Sequence, residues 1–207
     1  MMSAVTLWMV RAGRHGEGEY DALNDHVVGI GWPELGDLTR VGSAGNLRLT
    51  LDAAYPGAKP SALANWGDQV ETFRFRMRVG DLVVLPLRSA PAVAFGRLIG
   101  DYRYAPDAVA AIRHQRPVEW LAEDVPRDRI DQDLLYLLGA GRSVGQISWH
   151  DAEHRLGALL AAMPPVAPAD ADRDLSPEGR DQIRRRLARQ FHGHNLTRLV
   201  GALLKGA

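Results

Sequence analysis

Apolar residues recur along this chain with two different periods, and the change of period marks its organisation. Thr6 to Val10 is a short apolar run closed by Arg-Ala-Gly, which predicts a buried strand. A polar stretch follows, leading into a short helix from Tyr20 to Asp25. Val27 to Trp32 (VVGIGW) predicts a second strand, ended by Pro33, which cannot donate to a ladder. From Ser43 to Tyr55 the residues Leu47, Leu51 and Ala54 fall at helical spacing, and Tyr55-Pro56-Gly57 ends that helix. Another helix is expected from Ser61 to Phe73, with Leu63, Trp66, Val70 and Phe73 forming one stripe.

The period then shortens. Val79-Gly80-Asp81 reads as a turn, and Leu82–Leu87, Ala92–Ile99 and Pro117–Leu121 read as strands, the first two joined as a hairpin through Ser89-Ala90-Pro91. After Asp131 the pattern turns helical again, and Ser148 is a candidate cap for a helix from Trp149 to Ala162. Helices placed before and after a mostly antiparallel set of strands predict an α+β fold: a small, curved, partly closed β-barrel with flanking helices, plus a C-terminal helical segment. Residues 163 to 177, MPPVAPADADRDLSP, are too rich in Pro, Ala and Asp to form a core and read as a linker. The expected organisation is a globular domain over residues 1–162, that linker, and a basic helical tail over residues 178–207.

Composition narrows the classes. The 207 residues are 46% hydrophobic and 24% charged, which suits a globular chain. No cysteine is present, so disulfides, thiolate metal sites and cysteine nucleophiles are excluded. No apolar run approaches the roughly 20 residues of a membrane span, and no basic segment precedes the first apolar stretch, so a cytoplasmic protein without membrane contact is expected. Twenty-five basic residues balance twenty-five acidic ones. The neutral total conceals a tail, residues 171 to 207, with eight basic and four acidic residues. All the basic residues but Lys59 and Lys205 are arginine, the better phosphate fork, although a GC-rich genome encodes the same bias.

Catalytic motifs are sparse. His150-Asp151-Ala152-Glu153-His154 fits H-x-x-E-H, which sets two imidazoles one helical turn apart. A third zinc ligand is missing nearby, so solvated histidines are the simpler reading. Gly29-Ile30-Gly31 and Gly139-Ala140-Gly141 begin like nucleotide loops without completing one. No cofactor and no metal are called for.

Aromatic residues are set near polar turns instead. Trp32 closes the second strand, and Tyr102 and Tyr104 follow Gly100-Asp101; Trp66 and Trp120 lie at periodic positions that usually fill a core. Rings converging at a barrel mouth form a stacking slot for a planar ligand such as a flipped base. Arg74, Arg76 and Arg78 alternate through RFRMR and form one positive stripe if that segment is extended, but spread around the axis if it is helical.

The strings LWMVRAG, IGW with Gly36-Asp37-Leu38, Tyr55-Pro56, Asn65-Trp66, Val79-Gly80-Asp81, GDYRY and Val118-Glu119-Trp120-Leu121 occur in an order that resembles the N-terminal domain of Mrr-like restriction endonucleases. Those domains are similar to the PUA-like and EVE group of small barrels, several of which read modified bases. The tail, from Phe191 through LTRLVGALLKGA, resembles the first helix of the Mrr-type nuclease domain, of the PD-D/ExK class. The resemblance implies a non-catalytic reader of methylated or hydroxymethylated bases in double-stranded DNA, tethered to a nuclease whose catalytic core lies beyond this chain and serving defence against phage. Base-pocket candidates are Trp32, Trp66, Tyr102 and Tyr104, with Asn65 and Asp101 as readers of the base edge. Phosphate candidates are Arg11, Arg14, Arg76 and Arg103. The amphipathic last helix adds a possible homodimer. An RNA-binding PUA-like module and a zinc hydrolase built on His150 and His154 are the alternatives.

Overall fold

A computed structural model describes residues 5–139, 141–148, 155 and 158. The chain divides into one unit over Met1–Leu160 and another over Ala161–Ala207. The expected linker, the basic tail, His150, His154 and most of the helix expected after Ser148 lie outside the described residues.

The first unit is α+β. In chain order it contains β1 (Leu7–Val10), α1 (Glu19–Asn24), β2 (Val27–Ile30), α2 (Ala44–Ala54), α3 (Pro60–Glu71), a π-helical turn (Thr72–Arg76), β3 (Leu82–Pro86), β4 (Ala92–Leu98), β5 (Arg103–Tyr104), a 3-10 turn (Ala110–Ile112), β6 (His114–Pro126), α4 (Gln132–Leu138) and β7 (Val144–Gln146). Six strands form a curled, open half-barrel in the order β2-β6-β4-β3-β1-β7, with β5 added on β6. β1 and β3 run parallel, in the register Leu7↔Leu82 and Met9↔Val84. The other pairings are antiparallel.

Local chemistry explains the element ends. Ser43 caps α2, its hydroxyl accepting from the Asn46 N–H at 3.2 Å, so the predicted start holds to the residue. Pro60 begins α3 at a position where its missing N–H costs nothing. The predicted hairpin is present, closed by the Leu87 N–H on the Ala92 carbonyl.

RFRMR is not extended. Thr72–Arg76 continues α3 as a wider turn, so no three-arginine stripe forms. The strand read as Pro117–Leu121 instead spans thirteen residues, from His114 to Pro126.

Two apolar clusters lie end to end along one face of the sheet. Val83 belongs to the larger one, and Leu85 and Leu87, on the same side of the strand by two-residue alternation, belong to the smaller. α2, α3 and the π turn cover the larger cluster through Leu47, Leu51, Val70 and Phe73. The smaller includes Ala22, Val27 and Ile112. There Gly29 explains its own identity. A Cβ on it would stand 2.5 Å from Ile112 Cβ, so the glycine of VVGI serves close packing of the 3-10 turn rather than a nucleotide loop.

Candidate functional site

His114, absent from the sequence-based candidates, is the centre of the best-formed polar site. It begins β6, paired with Ile30 of β2 on one side and Tyr104 of β5 on the other, and is 0% exposed. Its Nδ1 lies 2.8 Å from the Tyr102 hydroxyl, and that oxygen accepts a hydrogen bond from the Leu38 N–H at 3.2 Å. With the Tyr102 oxygen already accepting from a fixed backbone donor, the arrangement that satisfies most groups has its proton donated to Nδ1, which places the imidazole proton on Nε2. No hydrogen bond closes on the buried Nε2. Carbonyls of Trp32 and Leu35 lie near enough to favour the charged ring without completing one.

Rings surround this histidine. Tyr102 stacks on it at 6.0 Å between centroids, and Tyr104 tilts against it at 5.3 Å. Trp32, two residues past the end of β2, holds φ at +61°, a conformation uncommon for a bulky residue and less expected still before Pro33. Strain of this kind costs on the order of 1–3 kcal/mol and persists where surrounding structure enforces it.

The enforcement is visible. The Leu35 N–H returns to the Trp32 carbonyl at 2.9 Å, and Leu35 and Leu38 are both buried. Tyr55 and Tyr102 accept from Glu34 N–H and Leu38 N–H, so two tyrosine hydroxyls pin the loop from both sides. Arg74 completes the frame by donating to the carbonyls of Leu38 and Thr39, each at 3.2 Å. Its guanidinium lies 4.8 Å from the Tyr102 ring centroid and 5.0 Å from that of Phe75.

The predicted pocket is thereby divided. Tyr102 and Tyr104 meet at His114, beside the Trp32 backbone. One face of Tyr102 is covered by Arg74, and the residue is 9% exposed, so it supports the site rather than offering a stacking surface. Trp66 instead packs edge-on against Tyr55 at 5.2 Å. Asn65 accepts from Gln69 Nε2, whose own Oε1 accepts from Ser143 and Val144 N–H groups, so it belongs to the seam between α3 and β7. Asp101 is 92% exposed and sits 3.9 Å from the buried Arg116.

Among the phosphate candidates, Arg103 is exposed and bonds Gln115 across the β5–β6 ladder. Arg14 is exposed in the loop after β1. Arg76 is engaged with Glu71 and Asp68. Arg11 lies at the end of β1, away from His114.

Electrostatics hold both members of this pair uncharged. Burial pushes the Tyr102 hydroxyl up to about 12 and so keeps it protonated. Burial also lowers His114 below the usual histidine value, opposed by the Trp32 carbonyl, Asp37 and the Leu35 carbonyl. The ring is neutral at neutral pH. Because its folded pKa lies below the unfolded value of about 6.5, the unfolded chain takes up the proton first, and stability present above about pH 6.5 is lost as pH falls toward the folded pKa. Urea midpoints measured from pH 8 to 5 should therefore fall at the acid end, and the fall should be shallower in His114→Asn. Parallel declines in the two proteins would show that another group controls the slope.

Neither of two clefts in the described residues, of about 320 and 200 Å³, is lined by Trp32, Tyr102, Tyr104 or His114. No group of three or more His, Asp or Glu side chains among the described residues is placed to hold a metal ion. No helix among them is long and apolar enough to cross a membrane.

A curled half-barrel with helices against one face, and a neutral, ring-flanked histidine at the start of β6, characterise this α+β domain. The chain belongs to the family described as Domain of unknown function (DUF8426), whose family model matches residues 8–134. That span takes in β1 from Trp8, the elements from α1 through β6 and the first three residues of α4, and so the whole His114 site. No curated protein and no solved structure matches the chain.

Proposed function

We propose that the chain reads a modified base in double-stranded DNA, receiving a flipped base against Trp32 and Tyr104 with the His114 Nε2–H directed at the base edge. The observation that carries this reading is the buried His114, its ring flanked by Tyr102 and Tyr104 beside the strained Trp32, with no hydrogen bond closed on Nε2. An unpaired buried polar group costs roughly 1–3 kcal/mol, a cost that a ligand acceptor removes. The resemblance to Mrr-like restriction endonucleases adds the role: a targeting domain for a tethered nuclease.

The energetics set what else is needed. Extruding a base costs a few kcal/mol, and stacking it on aromatic rings returns about 1–3 kcal/mol per base. Rings alone roughly break even, so the surplus must come from the histidine bond and from phosphate contacts, for which Arg14 and Arg103 are exposed. Near-neutral charge keeps non-specific attraction to phosphates small. Such a domain ignores most DNA and holds where the pocket fills.

The test is a titration of short duplexes carrying 5-methylcytosine, 5-hydroxymethylcytosine or N6-methyladenine against the unmodified duplex, at several salt concentrations. One modification should bind at least about tenfold tighter, and Trp32→Ala and Tyr104→Ala should each weaken it by about 10- to 100-fold, the stacking range. Equal affinity for all four duplexes overturns the proposal. Tighter binding of single-stranded RNA than of any duplex replaces it with the RNA-binding alternative.

A further inference from the structure

Three strands of the half-barrel end at one rim. Arg11 follows β1, Arg88 follows β3 by two residues, and Arg127 follows β6 directly. The ladder pairs Pro86 with Val93 and Ala92 with Pro126, which brings the ends of β3 and β6 together at the start of β4. All three arginines line the cleft of about 200 Å³, whose remaining walls include Pro86, Val93 and Leu138.

What holds these cations matters. Arg11 Nη2 donates to the Leu138 carbonyl at 2.6 Å, and Arg127 Nη2 donates to the Leu87 carbonyl at 2.7 Å. Their partners are neutral oxygens. No ion pair joins any of the three to a carboxylate among the described residues. Glu19, the carboxylate bonded to this turn, accepts from the Arg88 and Ser89 N–H groups and the Ser89 hydroxyl. Arg11 Nε is buried with no partner. Burial first, then Arg88 and Arg127, lower the Arg11 pKa, as expected of like charges gathered without a counterion.

Some arginines elsewhere among the described residues are matched by carboxylates, while Arg74, Arg97 and Arg113 are likewise held by carbonyls. Arg76 pairs with Glu71 and Asp68, and Arg142 with Asp68. The rim thus gathers three arginines with no ion pair to a carboxylate among the described residues, two of them anchored by carbonyl bonds that leave other N–H groups to donate. Phosphate oxygens fit such forks bidentately, and an apolar wall strengthens the attraction by excluding water.

We infer that the Arg11–Arg88–Arg127 cleft is a binding site for a phosphate group. It stands at the opposite end of β6 from His114 and does not depend on the base-reading proposal. The phosphate can belong to a small phosphoester or to a nucleic-acid backbone, two sources with the same chemistry at the cleft.

The full chain is titrated with inorganic phosphate against chloride at matched ionic strength, following the thermal midpoint and the ³¹P linewidth. A saturable rise with phosphate and none with chloride is expected. Arg88→Ala, whose exposed side chain makes no hydrogen bond or ion pair among the described residues, should weaken phosphate binding about tenfold or more, the range for losing charge-assisted bonds. Arg48→Ala, on the exposed side of α2, should leave it unchanged. Displacement of phosphate by a deoxynucleoside monophosphate assigns a small ligand, and displacement by an unmodified duplex assigns a backbone; either supports the site. Identical behaviour of phosphate and chloride, or undiminished binding by Arg88→Ala, overturns the inference, whatever Trp32→Ala does to base preference.

Discussion

Replacing Asp81 with alanine is expected to lower the unfolding free energy by about 3–5 kcal/mol, the range for breaking a buried charged network. The carboxylate is 7% exposed and accepts three N–H groups: Trp8 Nε1 at 2.8 Å, the Arg78 amide at 2.9 Å and the Thr6 amide at 3.2 Å. Those donors come from the start of β1, from within β1 and from the turn before β3, so one side chain fastens the only parallel pair of described strands to the turn that feeds it. Alanine leaves the indole N–H buried without an acceptor, and bonds to a charged acceptor are worth about 1.5–3 kcal/mol each. Asparagine keeps one oxygen but turns an amide toward another donor, so it should fall between. Urea unfolding followed by circular dichroism measures the difference. An alanine variant within about 1 kcal/mol of the parent would mean that water replaces the carboxylate at no cost.

Asp81 also shows what was legible in the sequence. Val79-Gly80-Asp81 is a turn by composition, and Gly80 does hold φ at +95°, but nothing local says that the aspartate faces inward to an indole more than seventy positions away. The elements that read correctly are those whose signal is local. The apolar runs of β1 and β3 and the capped, periodic α2 are of this kind. β5 and β7 have two and three residues, and pairing with β6 and β1 rather than composition makes them strands. β6 was shortened because its first residues, His114, Gln115 and Arg116, are polar. All three are buried and bonded at a distance: His114 Nδ1 to Tyr102, Gln115 to Arg103, and Arg116 to the π-turn carbonyls.

The same cause hid the site. A polar HQR before an apolar run looks like a loop, so the histidine went unread, while rings beside turns were visible by type. Tyr102 and Tyr104 are legible as a pair because they follow a turn at alternate positions, and the structure brings both rings to His114. The common grouping with Trp66 is not, since sequence cannot say that its ring is already taken by Tyr55. Likewise RFRMR presents alternating arginines, and only the helical continuation past Glu71 decides that Arg74 turns inward over Tyr102 while Arg76 turns out to Glu71. Neutral net charge averages over an uneven distribution: ion pairs around Asp68 and Glu71 in one place, and in another three rim arginines without an ion pair among the described residues.

Arg116→Met is expected to cost about 3–5 kcal/mol and to disturb the His114 site with it. The guanidinium is buried, and burial holds its pKa below the usual arginine value. Its Nε donates to the Phe73 carbonyl at 2.7 Å and its Nη2 to the Arg74 carbonyl at 3.1 Å. Both oxygens belong to the turn that ends α3, where carbonyls have no partner along the helix and the dipole favours a cation. Methionine fills similar volume but donates nothing, leaving two buried carbonyls unpaired at roughly 1–3 kcal/mol each and losing two charge-assisted bonds. Lysine restores charge without the fork and should recover part of the loss. The turn that Arg116 fixes also aims Arg74 at Tyr102 and at the Leu38 carbonyl, so the methionine variant should loosen the loop from Trp32 to Val41 as well as lower the midpoint. Hydrogen exchange separates the two effects: faster exchange at Leu35 and Leu38 than global unfolding accounts for is the expected signature. A variant that loses stability with no added exchange in that loop would make Arg116 a helix anchor alone, and one with an unchanged midpoint would remove it from the core altogether.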